Sequence, residues 1–135
     1  MPLIYQSKII EYDLLENINV FYVYPENVDK EGGSDFTKMM RNNSDKCLPL
    51  TLKQKAFKTK DSFWIDVNFD FARKHFITDQ DKIKVLLNRH EAIIVMSLDQ
   101  MYGELDDINK YSPLFAKFYK EQMDFMKDRW KPRVV

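Results

Sequence analysis

Three glycines occur in 135 residues, and they sit at only two places, Gly32-Gly33 and Gly103. Average usage of about 7% would give roughly nine. Each glycine here therefore calls for a local reason, and close approach of backbone N–H groups to a ligand is one. The stretch Val20 to Arg41 reads VFYVYPENVDKEGGSDFTKMMR. An apolar run, Val20–Tyr24, stops at Pro25, and a polar loop holds the glycine pair. Ser34-Asp35 then opens a helical pattern with Phe36, Met39 and Met40 on one side. Strand, glycine loop and helix start in that order aim backbone donors and the positive end of a helix at whatever occupies the loop.

Other chemistries find less support. His75 and His90 are fifteen residues apart, with no Cys or carboxylate beside them at ligand spacing, so they do not form a zinc motif. The single cysteine, Cys47, has no local nucleophile signature and reads as a core thiol. Neither a Gly-x-Ser-x-Gly elbow nor a Walker-type loop occurs. No catalytic residue, metal or cofactor is assigned. Asp99, Glu104, Asp106 and Asp107 crowd one acidic loop, where a carboxylate could position a water or act as a base but is more simply solvated. Cations interleave with aromatics twice: Lys53, Lys55, Lys58 and Lys60 around Phe57 near Trp64, and Lys127, Arg129, Lys131 and Arg133 around Trp130. That is the recipe for single-stranded nucleic acid. Against it, Lys+Arg and Asp+Glu number 21 each, so no chain-wide basic field exists.

The composition, 44% hydrophobic and 31% charged, is that of a globular domain with its own core. One cysteine, no leader pattern and no apolar run near the roughly 20 residues of a membrane span predict a cytoplasmic protein with no membrane partner.

The elements that must position these residues follow from periodicity. A short strand near Leu3–Tyr5, a turn or single helical turn across Tyr12–Asn17 and the strand Val20–Tyr24 open the chain. The helix Asp35–Arg41 ends in the breaker cluster Asn42–Asp45. Cys47–Leu52 can be a strand, which Pro49 demotes to an edge or to an irregular segment. Lys53–Lys60 reads as a solvated loop anchored by Phe57. Phe69, Ala72, Phe76, Ile83, Leu86 and Leu87 mark a long helix over about Val67–Asn88, widened by Val67, Phe71 and Val85, which Thr78-Asp79 can split in two. His75 reads as partly buried on it. Glu91–Ser97 is apolar throughout its middle and predicts a central strand. Leu98–Lys110 reads as an acidic loop. Ser112-Pro113 starts a last helix on which Leu114, Phe115, Phe118, Gln122, Phe125, Met126 and Trp130 track one face. Alternation of strands and helices predicts an α/β fold: one compact domain over residues 1–130, a mostly parallel central sheet flanked by helices, and a basic tail, 131–135, that frays. Both glycine-bearing loops then leave carboxyl ends of strands, where such sheets bind ligands.

Across roughly residues 8–127 this layout resembles reduced macrodomains, small α/β modules that hold ADP-ribose or related nucleotides between two glycine loops. Tyr24-Pro25-Glu26-Asn27 stands at the first turn and Gly32-Gly33-Ser34-Asp35 at the helix opening. Ile93–Ser97 is the strand before the second loop, Leu98–Leu105 that loop, and Tyr111-Ser112-Pro113 the final helix start. The resemblance implies a pocket lined by Asn27, Gly32, Gly33, Ser97, Asp99 and Gly103. Asn27 would bond a ribose hydroxyl, the glycine amides would meet phosphate, and Asp99 would position a water. The second loop carries one glycine where those proteins carry several, and Met101 and Tyr102 would fill ligand space, so the cleft is expected to be degenerate. The composition is also similar to that of accessory proteins of T-even-like phages. The expected function is non-catalytic binding of a protein partner, a host protein if the chain is phage-encoded, through exposed Trp64, Tyr102 and Trp130. Binding or hydrolysis of ADP-ribose or a nucleotide comes second, and binding of single-stranded nucleic acid third.

Overall fold

Side chains of a strand alternate between faces, whereas those of a helix return every three to four residues. Both periods are realised in the computed structural model, which describes residues 2–16, 18–90 and 92–135. In chain order the elements are β1 (Leu3–Tyr5), α1 (Glu11–Glu16), β2 (Val20–Asn27), α2 (Asp35–Arg41), β3 (Cys47–Lys53), two single-turn 3-10 segments, α3 (Phe69–Arg89), β4 (Ile93–Met96), α4 (Leu98–Met101), α5 (Leu105–Tyr111), α6 (Pro113–Trp130) and β5 (Arg133–Val134). The described strands form one sheet in the order β3-β2-β4-β1-β5, and every pairing is parallel.

A parallel sheet needs cover on both faces, and this one has it. Leu3, Tyr5, Val23, Leu50, Ile94 and Met96 join Phe76, Ile83, Leu87, Phe115, Tyr119 and Met126 in the larger core, beneath α3 and α6. Tyr22, Tyr24, Cys47 and Val95 point the other way and pack with Ile9, Leu14 and Met40 beneath α1 and α2. β4 is central, as its apolar run predicts, and β3 is an edge, as Pro49 predicts.

Several boundaries differ from expectation. β2 does not stop at Tyr24 but runs through Pro25 to Asn27. Tyr22 N–H donates to Lys46 O at 2.9 Å on the β3 side. By alternation the nitrogen of Pro25 faces the β4 side, where pairing ends at Tyr22, so no ladder bond is lost. α3 is one helix: the Thr78 hydroxyl bonds back to Lys74 O at 2.9 Å instead of capping a new helix. Val67, Phe71 and Val85 are exposed, so its apolar face is narrower than expected. The expected loop after β4 is two short helices, α4 and α5. In α6 the buried stripe is Phe115, Ala116, Tyr119, Met123, Met126 and Trp130, which leaves Leu114 and Phe125 on the rim. Phe57 is 68% exposed and anchors nothing, while Lys53 belongs to β3 and is buried. Arg133 and Val134 do not fray but pair with Ile4 and Tyr5, and Val135 N–H donates to Tyr5 O at 2.9 Å. The helical turn expected near Tyr12 is α1, and Asn17 and Glu91, which the expected turn and strand included, lie outside the described residues.

Candidate functional site

β2 leaves the sheet through a turn at Asn27–Lys30, closed by Lys30 N–H donating to Asn27 O at 3.1 Å. Gly32 and Gly33 follow with φ of 62° and 98°. A Cβ on Gly32 would stand 3.0 Å from that of Ala56, so the missing side chain lets this loop touch the one after β3. Ser34 caps α2, accepting from Thr37 N–H at 3.2 Å, and Thr37 Oγ1 donates to Pro25 O at 3.1 Å.

Beneath this loop lies a carboxylate whose side chain has no exposed surface, Glu26. It accepts from Arg41 Nε at 2.8 Å and Nη2 at 2.5 Å, from Tyr24 OH at 3.1 Å and from Asn27 N–H at 2.8 Å. A buried carboxylate persists when paired and hydrogen-bonded in this way. Arg41 Nη1 also donates to Gly32 O at 3.0 Å, so the last residue of α2 ties the glycine loop to the strand. The bond to Glu26 raises the Arg41 pKa. Burial first, then Glu26, pushes the Tyr24 hydroxyl far above its ordinary value.

The opposite wall is α4 and the turn after it. Ser97 Oγ donates to Ser7 O at 2.8 Å and accepts from Gln100 N–H at 3.3 Å, capping α4. The Gln100 side chain clamps Ile9, accepting from its N–H at 3.0 Å and donating to its O at 3.3 Å. Past Gly103, Glu104 reaches the Lys53 ammonium at 3.0 Å.

β2 connects to β3 on one side, and the path from β4 ends at β5 on the other. The chain thus diverges between β2 and β4, the position at which open parallel sheets bind ligands. A cleft of about 200 Å³ lies there, lined among others by Asn27, Gly33, Thr37, Lys53, Gln100 and Gly103. Residues 33 and 103 do share one rim and one cleft. Gly32 lines an adjoining depression of about 570 Å³ with Asp29, Glu31, Phe57 and Lys58. Ser97 and Asp99 do not join them. Ser97 is buried in its cap, and Asp99 lines a separate crevice of about 570 Å³ with Tyr5, Leu98, Lys127 and Lys131. Asp99, Lys127, Asp128 and Lys131 are all exposed, so water competes for every charge in that crevice.

The family of unknown function DUF7831 matches residues 4–122. The chain belongs to that family. No curated protein and no solved structure matches it significantly. The stretch matched by DUF7831 contains every element that walls the cleft, from β2 to α5, and leaves out β5.

The expected surface aromatics of this DUF7831 chain are not on its surface. Trp64 and Trp130 are 6% and 7% exposed. Trp64 stacks on His75, itself exposed, with centroids 5.6 Å apart. Trp130 meets Phe125 edge-on beneath Arg129, and half-buried Tyr102 packs on Tyr119 at 5.5 Å. Burial takes the Cys47 thiol up to about 12, beside Met40 Sδ at 3.8 Å. No group of three or more His, Cys, Asp or Glu gathers as a metal site among the described residues, and no described helix is long and apolar enough to cross a membrane. Sequence reasoning missed Glu26, Arg41, Lys53 and Gln100. For Glu26 the signal was present, since residues 22, 24 and 26 continue one strand face once Pro25 is allowed inside the strand.

Proposed function

We propose that this protein acts by binding a protein partner, without catalysis of its own. The segment around α1 carries the reading, with Tyr12 and Leu15 on the helix and Ile10 and Ile18 flanking it. Ile10, Tyr12, Leu15 and Ile18 are 48%, 62%, 69% and 84% exposed, while Ile9 and Leu14 of the same stretch are buried. Single exposed apolar side chains are ordinary; four large ones within nine residues mark a contact surface. Glu11 and Glu16 lie exposed among them, so the surface suits apolar side chains flanked by basic ones. The cleft supports the same reading. Its charges are already paired, Glu26 with Arg41 and Lys53 with Glu104, Met101 is buried in its wall, and its 200 Å³ falls below the ~300 Å³ at which ligand pockets begin. Were the chain phage-encoded, the partner would be a host protein. The test is affinity capture with wild type and with the Tyr12→Ser/Leu15→Ser variant, read by quantitative mass spectrometry. Both positions are exposed, so the variant keeps the fold. The expected outcome is a defined protein recovered at least tenfold less with the variant, and identical recoveries would reject the reading.

A second reading, a nucleotide-type ligand, is favoured by the meeting of Gly33 and Gly103 at the switch point. The cleft would then take a nucleotide fragment, with Asn27 on a ribose hydroxyl. ADP-ribose, NAD, AMP and ribose 5-phosphate should each be screened by thermal shift, because a ligand of the native state raises Tm. No rise at millimolar concentration would end this reading.

A further inference from the structure

Lys53 is a cation at the end of a strand with almost no access to water: its side chain is 3% exposed. It reaches that position through an irregularity in the sheet. The β2–β3 register shifts between Glu26 and Asn27, so that Asn27 stands opposite Lys53. Its Nζ donates to Phe57 O at 2.9 Å and Ala56 O at 3.3 Å, and lies 4.4 Å from the centre of the Phe63 ring. Carbonyls and a ring orient an ammonium without neutralising it. The neutralising charge comes from Glu104 alone among the described ion pairs, at 3.0 Å. The two halves of this pair are unequal. Lys53 is fixed in the cleft wall, whereas the Glu104 side chain is 41% exposed and follows directly on Gly103. A buried cation of this kind demands an anion, and the anion it has is the one most easily moved aside.

We propose that the cleft takes a compact oxyanion ligand, of sugar-phosphate or sugar-acid size, whose charged group replaces the Glu104 carboxylate on Lys53. Glu104 is then a built-in competitor that holds the site in its unliganded form. Asn27, which is buried and lines the same cleft, meets the uncharged body of the ligand. The volume of about 200 Å³ limits that body to a single ring. The proposal rests on the second reading above, that the cleft admits a ligand, and adds the charge the ligand must carry and the residue that selects it.

The test uses the full chain and three probes, ribose 5-phosphate, gluconate and ribose, titrated by calorimetry into wild type, Glu104→Gln, and Glu104→Gln combined with Lys53→Met. Removal of the competing carboxylate should tighten binding of a charged probe at least tenfold and leave ribose unchanged. Preference for ribose 5-phosphate over gluconate identifies the group as phosphate, and the reverse as carboxylate. The double variant should lose the gain. Should it fail to fold, the Lys53 side-chain NMR signal in Glu104→Gln replaces it, and must move with the charged probes and not with ribose. Ribose binding with no advantage from charge, in either protein, overturns this inference and leaves the cleft reading standing. No binding of any probe overturns this inference, and the cleft reading falls with it when ADP-ribose, NAD and AMP also leave Tm unchanged.

Discussion

Glu26 and Lys53 are opposite charges buried on neighbouring strands, yet each takes its partner from beyond the sheet, Arg41 from α2 and Glu104 from the turn before α5. Arg41→Ala would strand the Glu26 carboxylate with only Tyr24 and a backbone N–H, and should cost ~3–5 kcal/mol by urea unfolding. Cys47 carries a different expectation. Folded, the thiol keeps its proton up to about 12; unfolded, it loses it near the ordinary 9.0. Its contribution is complete below the lower value and is lost as pH rises toward the higher one, with a slope approaching ~1.4 kcal/mol per pH unit. Tyr5, raised from 10.0 to about 12 chiefly by burial, adds its own loss from 10.0 upward. Denaturation at about pH 8 and about pH 10.5 should show Cys47→Ala losing less stability between the two than wild type. At this scale the sequence was half legible. Gly33 could be chosen because loop chemistry is local, whereas Asn27, the last residue of β2, came only from the resemblance. Lys53 could not be chosen, because burial of a lysine is decided by the strand bulge and the Phe63 ring, neither of which spacing reveals.

Among the elements, β3 is the strand most in need of protection, since an unpaired edge invites a second chain. Asp79, from the middle of α3, accepts from Thr51 N–H at 2.8 Å and Thr51 Oγ1 at 2.6 Å. The residue that by sequence could have broken α3 instead ties it to the exposed edge. Asp79→Ala should cost ~1.5–3 kcal/mol and raise concentration-dependent aggregation, measured by urea unfolding and light scattering. The stretch after β4 was misread because Gly103 and the carboxylates suggested a loop. Leu98, Met101, Leu105 and Ile108 are spaced by three, four and three, a helical signature that one glycine masks by dividing it between two short helices. Pro25 hid the end of β2 in the same way, because whether proline is tolerated depends on which side a neighbouring strand lies.

The whole molecule explains why the site's location was more legible than its residues. When every strand is parallel, all carboxyl ends share one rim, so loops following two different strands must emerge on the same side. Only adjacency of β2 and β4 was then needed to bring Gly33 and Gly103 together. The burial of Trp130 was legible in the apolar face of α6, against its choice as an exposed contact, whereas that of Trp64 depended on how α3 settles on the sheet, which local pattern does not encode. With both rings buried, two of the three aromatics in those cation-rich stretches cannot stack on a base, and of the three Phe57 alone stays exposed. The protein should pass a single-stranded DNA column at physiological salt without retention, and retention that weakens with salt would contradict this.

β1 lies between β4 and β5, with Ile4 opposite both Val95 and Arg133. A nascent chain therefore cannot complete its sheet stepwise as it leaves the ribosome. β1 must wait until residues 133–134 have been made before its second edge is filled, and until then it presents open hydrogen-bonding groups to chaperones and to other unfinished chains. Late closure of the sheet during synthesis is the cost of placing β1 between two strands that follow it so far along the chain.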